Sequence, residues 1–303
     1  MATGSWPSLI DLTTRINGAQ KQVYISEMLS QANDVWDDLP LVEANEIGGH
    51  EFVFRTSIPA GAWRQYNQGV PYAKSTTAKA RVSLGSLEDY SQIDRLLAED
   101  SGDIDQFREN EDVAFLEGMS QTMVQTLFYG NSAVTPAEFM GLSPFYNTVT
   151  QSNAQNAQNV IPAGGTGSSN TSLWLIAWGE RTIYGLYPRG SKAGITMEDK
   201  GDTVPGFDAL GNRFEAYTSL FQHKIGLCVK DWRYGVRIAN IDTTTAGLLG
   251  PTPPDLFAIL SRAIVRLPTA GRTVSGITKT DAPDKMAPAI RLKTKARHSK
   301  RAG

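Results

Sequence analysis

Residues 104 to 129, IDQFRENEDVAFLEGMSQTMVQTLFY, constrain this chain more than any other stretch. At about 100° per residue, Phe115, Leu116, Met119, Met123, Val124 and Leu127 fall within half of a helix circumference, while Glu117, Gln121 and Gln125 share the other side. Asp103 is the expected N-cap, with Gln106 three residues on as a variant of the capping box. Asp105, Glu109, Glu111 and Asp112 lie toward the positive end of the macrodipole, and Gly130 is expected to supply a left-handed stop. At 1.5 Å per residue the predicted rod spans on the order of 40 Å, the dimension of a structural spine.

The sequence before the rod reads as a long ribbon. Phe52 and Phe54 alternate with Glu51, Val53 and Arg55; on the return, Ala78, Ala80 and Val82 alternate with Thr77, Lys79 and Arg81. That is the period of strands. Pro59, Gly61, Gly69 and Pro71 between them break regular structure, so the expected object is a two-stranded arm with a wide tip. Such a ribbon is marginal alone in water. With Trp63, Tyr66 and Tyr72 near its tip, it is expected to lean on another surface, including another subunit. Residues 1 to 49 read as an extended arm with a short amphipathic piece at VYISEMLSQAND.

After the ribbon, GSLEDYSQIDRLLAED is predicted as a short helix on the spacing of Leu87, Tyr90, Ile93 and Leu97. Residues 147 to 172 are dominated by Asn, Gln, Ser, Thr and Gly and read as a surface loop. LWLIAWGERTIYGLYP is predicted as a hairpin turning near Gly179 and Glu180, its first strand buried on both faces. Long strands fit RFEAYTSLFQHKIGLCVKDWRYGVRIANID, and Pro254 and Pro268 bracket a last helix. The sum is an α+β chain without the strand–helix alternation of doubly wound folds.

Charge and chemistry narrow the function further. The segment 285 to 303 carries seven Lys or Arg and no acid, which leaves 22 basic against 31 acidic side chains in the rest. Lys293, Lys295, Arg297, Lys300 and Arg301 of this tail are candidates for facing DNA phosphates; a solvated tail is the competing reading. No apolar run approaches the ~20 residues of a membrane span, and the N-terminus lacks the pattern of a secretory signal, so a soluble protein made in the cytoplasm is expected.

The lone Cys228 excludes an intrachain disulfide and reads as a small core residue. His50, His223 and His298 lack metal-site spacing. The pairs Asp37 with Asp38 and Glu111 with Asp112 read as solvated acidic runs. No phosphate loop or nucleophile elbow is present. No catalytic residue, cofactor or metal site is therefore expected. Lys74 and Lys79 lie on the ribbon, where a covalent or ionic bond to a neighbour is useful; ordinary charge guarding an edge strand is the bland reading.

Four blocks carry a resemblance. They are LIDLTTRING…ISEMLSQAND with WDDLPLVEANEIGGHEFVFRTSIPAGAWRQYNQGVPYAKSTT, then LEDYSQIDRLLAEDSGD…FRENEDVAFLEGMSQTMVQTLFYGN, then EFMGLSPFYN, and VKDWRYGVRIANID. In content and order they resemble the major capsid proteins of tailed bacteriophages, in a subgroup of short-tailed phages and prophages, over about residues 9 to 268.

The resemblance implies the Hong Kong 97 type fold. It implies an N-terminal arm at 1–49, an extended loop at 50–84 and a peripheral domain with the spine helix at 85–130. It further implies axial-domain segments at 131–195 and 240–303 around a return to peripheral strands at 196–239. Implied too are hexamers and pentamers closing an icosahedral shell around double-stranded DNA, with Trp63, Tyr66, Tyr72, Lys74 and Lys79 as candidate intersubunit contacts. A scaffolding protein, a portal protein and a possible decoration protein are the implied partners, and the virion the location. A nanocompartment shell of the same fold around a cargo enzyme is the alternative; an enzyme or nucleic-acid-binding protein would need a polar pocket or basic face on the body. The resemblance departs after residue 268, where relatives continue with further axial strands and this chain turns into TAGRTVSGITKTDAPDK. An axial sheet left incomplete by a truncated, frameshifted or replaced end is the expectation.

Overall fold

The computed structural model describes residues 35–268 apart from 151, 153, 203, 209, 245, 246 and 248–252, together with Pro7, Asn33 and a strand at 277–280. In chain order the elements begin with α1 (Val35–Asp38), β1 (Leu41–Glu43), β2 (Gly49–Ser57), β3 (Thr76–Ser83) and β4 (Gly85–Asp94). Helices α2 (Arg95–Asp100), α3 (Ile104–Tyr129) and α4 (Leu142–Phe145) follow, then β5 (Val160–Pro162), β6 (Asn170–Ile176), β7 (Ile183–Tyr187), β8 (Thr196–Asp199) and β9 (Val204–Phe207). The chain continues with β10 (Arg213–Val229), β11 (Gly235–Asp242), α5 (Leu256–Arg266) and β12 (Ile277–Thr280). The amphipathic piece predicted at 23–34 lies outside the described residues, Asn33 excepted.

The chain divides into two compact units. The first is built from 86–125 and 193–224, and it contains α3 from residue 104 to residue 125. The rod is 26 residues long and starts where its cap predicts: Asp103 Oδ1 accepts from the Gln106 N–H at 3.1 Å. Phe107, Met119 and Met123 are buried. Phe107 packs with Ile93 and Ala98, and β10 runs antiparallel to β8 and β9. At about 3.3 Å per residue β10, with 17 residues, matches or exceeds the rod in length.

The predicted helix over 85 to 100 is a strand followed by a helix. Gly85, Ser91 and Ile93 turn inward and Tyr90 outward, so the alternation of two outweighs the helical spacing on which Tyr90 and Ile93 would share a face. Asp94 then caps α2 through the Leu96 N–H at 2.9 Å. Asp112, expected in a solvated run, is also a correction: it is buried on the core side of α3 and accepts from Ser219 Oγ at 3.1 Å. Arg108, one turn earlier, donates to the same hydroxyl, pairs with Asp199 at 2.9 Å and lies over the Tyr217 ring. Asp199 is consequently held below the usual carboxylate range, chiefly by its hydrogen bond from Arg108.

The second unit comprises 35–85, 126–192 and the chain from 225 onward. Strands β12, β6, β11 and β5 form one sheet in that order. Helix α5 covers it, placing Ala263 and Leu267 on Ile161, Leu175, Val236, Ile238 and Ile241. Asp255 caps α5 by accepting from the Ala258 N–H. Strand β12 pairs antiparallel with β6, Ile277 opposite Leu175, so the sheet expected to lack a strand after the helix receives one.

The predicted 173–187 hairpin does not form. Both edges of β6 are taken by β11 and β12, while β7 joins another sheet between β1, in parallel, and β10, antiparallel. The turn is instead a pivot between sheets, held by Thr182 Oγ1 donating to the Ala177 and Gly179 carbonyls. The polar loop reading of 147–172 also fails in part. A 3-10 turn at 155–159 and β5 are ordered there because Asn159 is buried and its Nδ2 donates to the carbonyls of Trp232, Arg233 and Gly235.

Gly130 ends α3, but not by a left-handed turn. Its N–H still bonds to the Thr126 carbonyl at 2.8 Å, and no positive φ is found there. A Cβ on Gly130 would lie 2.6 Å from both the Thr126 and Phe139 carbonyl oxygens, and the Gly141 N–H donates to the Gly130 carbonyl at 2.9 Å. Two glycines meet backbone to backbone here, which is a packing requirement rather than a torsional one.

Candidate intersubunit interface

The ribbon is a two-stranded sheet of β2 and β3 with Gly49 opposite Ser83, Phe54 opposite Ala78 and Ser57 opposite Thr76. Its root is anchored: Val82 and Phe52 join Tyr184, Leu186 and Cys228 in one apolar cluster. Along the strands burial fades from Gly49 outward, and from Val53 to Ser57 every residue of β2 is exposed. A hydroxyl cluster of Thr56, Ser57 and Thr76, at 2.7 and 2.8 Å, marks where pairing stops.

Beyond it residues 58–75 form no strand, with one turn in which Asn67 takes φ 63°. The side chains there are bare. Trp63 is 105% exposed, Tyr66 96% and Tyr72 107%, with Ile58 at 82%. Monomeric surfaces scatter single apolar groups, whereas large exposed aromatic groups gathered on one segment mark an interaction site. Lys74 is exposed on the same segment. Lys79 stands apart from it: in the strand, it forms an ion pair with Glu51 across the ribbon. The structure therefore gathers Trp63, Tyr66, Tyr72 and Lys74 beyond the paired strands and assigns Lys79 a partner within the ribbon.

Lys293, Lys295, Arg297, Lys300 and Arg301 lie outside the described residues, as does His298. His223 is buried, its ring against Met123, and burial holds it below the usual histidine value. Cys228 is buried and pushed up by desolvation. Among the described residues no group of three His, Cys, Asp or Glu side chains is placed to hold a metal, and no helix is long and apolar enough to cross a membrane.

Sequence reasoning missed the polar hub of the second unit. Arg237 donates to Ser172 Oγ at 3.1 Å and to Ser143 Oγ and the Tyr146 carbonyl at 3.0 Å, with its guanidinium 5.2 Å from the Trp174 ring centroid. Burial pulls its pKa down, since the three acceptors are neutral. Tyr146 donates to the Trp232 carbonyl at 2.7 Å, and burial raises its phenol well above the ordinary value. The one signal in the sequence was an arginine on an inward-alternating strand, VRIANID.

A ribbon with aromatics exposed at its tip, a long rod and a helix-covered sheet fit a structural subunit. Comparison with known proteins agrees: a chain from the near-atomic structure of bacteriophage epsilon15 is 33% identical with a TM-score of 0.64, over 88% of this chain and 80% of that one. The chain belongs to the major capsid protein GP7 family, whose model matches residues 17–299. It is a structural component of a phage capsid with the Hong Kong 97 type fold, and its place is the virion.

More distant likenesses are the SrpI encapsulin complex from Synechococcus elongatus PCC 7942, at 13% identity, TM-score 0.46, 78% of this chain and 98% of that one, and the capsid of an empty GTA particle, at 10% identity, TM-score 0.43, 73% and 96%. Neither favours the cargo-compartment alternative. No curated protein matches the sequence.

Proposed function

We propose that this capsid protein builds its shell from hexamers and pentamers, with the 58–75 tip of each ribbon seated on an adjacent subunit. The observation that carries this reading is the full exposure of Trp63, Tyr66 and Tyr72 on one segment beyond the paired strands of the ribbon. Three aromatic groups seated in a neighbour have the composition of an interface core, and each contact is repeated by the symmetry of the shell. In the division that accompanies this reading, 1–49 is an arm, 50–84 the extended loop, 85–130 and 196–239 the peripheral domain, and 131–195 with 240–303 the axial domain. The role is architectural, without a catalytic step. Lys74 serves as an ionic contact at the tip.

The partners follow from the same reading. A scaffolding protein directs assembly in the host cytoplasm, a portal protein occupies one vertex, and a decoration protein binds the outside where one is used. Packaged double-stranded DNA is contacted without sequence specificity, by Lys293, Lys295, Arg297, Lys300 and Arg301 in the basic tail. An acidic body and a basic end limit phosphate contact to a few sites, which keeps the genome releasable. The purified chain, with and without the scaffolding protein, is the test, read by sedimentation velocity and negative-stain microscopy. Uniform closed shells with the scaffold and capsomers or irregular shells without it are expected; uniform shells from the chain alone would remove the scaffold, and a compact monomer in every condition would remove the assembly reading.

A further inference from the structure

We infer that His50 is a proton-operated latch at the root of the ribbon: its neutral ring ties the 45–51 turn to strand β7, and protonation unties it. His50 is the second residue of β2, where the ribbon leaves the packed cluster. Its Nδ1 accepts the Asn45 backbone N–H at 3.3 Å, and its Nε2 faces Tyr184 Oη at 3.2 Å. With Nδ1 an acceptor, the ring proton sits on Nε2 and donates to Tyr184 Oη. The phenol proton is then left for Cys228, Tyr184's hydrogen-bonding partner and its opposite in the β7–β10 register.

Asn45 is itself a clasp. Its Nδ2 donates to the Glu51 carbonyl at 2.7 Å, and its Oδ1 accepts the Glu51 N–H at 2.9 Å. The ring of His50 lies against Phe52 and edge-on to Tyr184. One imidazole therefore joins the turn, the ribbon and β7 through polarised bonds that all run in one direction.

An imidazolium has two donors and no acceptor. Protonation sets the Asn45 N–H against a second N–H, so that bond is lost. The surrounding charges do not accommodate the cation: Lys230 acts on His50 repulsively, Glu46 is engaged by Arg81 and Glu51 by Lys79. Tyr184 and Cys228 are both kept protonated by burial and supply no negative charge.

Burial first and Lys230 second hold the His50 pKa below 6.5 in the latched state. A released ring regains the ordinary value. The open state therefore binds more protons, and the latch is complete above about pH 6.5 and weakens as pH falls toward the lowered value. Release at the root changes the angle at which Trp63, Tyr66 and Tyr72 are offered to a neighbour, a consequence that rests on the interface reading; the latch itself does not.

Hydrogen exchange of the full-length chain tests it, followed by mass spectrometry from about pH 8 to about pH 5 and corrected for intrinsic exchange. Protection of the amides at 45–52 is expected to fall by up to about tenfold per pH unit below about 6.5, while residues 172–176 stay unchanged. In His50→Gln the pH dependence at 45–52 is expected to vanish. A flat profile at 45–52 in the wild type, or an undiminished one in His50→Gln, would overturn the latch. Should His50→Gln not fold, Tyr184→Phe keeps the titrating ring and removes its Oη partner, which brings the latched-state pKa closer to the ordinary value; a smaller fall in protection below about pH 6.5 is expected, and an undiminished fall would overturn the proposal. Because the readout is local and needs no assembly, failure of the shell reading leaves this test intact.

Discussion

Trp63, Tyr66 and Tyr72 at the ribbon tip and Phe128, Tyr146 and Trp174 in the second unit are alike in chemistry and opposite in surroundings. The first three are fully exposed, and the second three are buried, with ring centroids 5.9 and 5.8 Å apart around Trp174. One set spends its apolar area on folding the subunit. The other leaves it uncovered among the described residues, as large aromatic groups at an interaction site do. Stability of the subunit rests on one set, and the proposed cohesion of the shell on the other.

That separation can be broken most forcefully at Trp174. Trp174→Ala should cost the unassembled subunit about 3–5 kcal/mol, because a cavity opens between Phe128, Tyr146 and Arg237; urea denaturation measures it. Trp63→Ala in the same measurement should change stability by less than about 0.5 kcal/mol. Equal losses would erase the distinction.

A smaller effect is expected at Arg237. Arg237→Leu leaves Ser143, Ser172 and the Tyr146 carbonyl without their donor and should cost roughly 2–3 kcal/mol, read by the same denaturation. The smallest belongs to the ribbon again. Lys79→Gln removes an ion pair whose lysine is 63% exposed, and a change within about 0.5 kcal/mol is expected from thermal unfolding of the subunit.

Both sets of aromatics are visible in the sequence, but only one was legible as a set. Trp63, Tyr66 and Tyr72 sit within ten residues among Pro and Gly, so their exposure followed from local composition. The rod was legible for the same reason: its cap, its acidic first turns and its apolar stripe are all written within 27 residues, and α3 begins and ends where periodicity places it. Trp174 is different. Its neighbours Phe128, Tyr146 and Arg237 are distant in sequence, and no period connects them.

Misreadings share that cause. Strands β6 and β7 look like a hairpin because each is apolar and a turn lies between them, yet each finds stronger partners elsewhere, β11 and β12 for one and β10 for the other. Asn159 looks like one more polar loop residue until the three carbonyls it caps, more than 70 residues away, are in view. Gly130 resembles a helix stop, and only the approach of Gly141 reveals why a side chain cannot stand there. Family resemblance supplied the architecture that local pattern did not.

Shell assembly of the triple variant Trp63→Ala, Tyr66→Ala, Tyr72→Ala tests the central claim most directly. Under conditions in which the wild-type chain closes into shells, the variant should keep the wild-type melting temperature and sediment as free subunits or capsomers. Closed shells of wild-type yield and size from the variant would contradict the account.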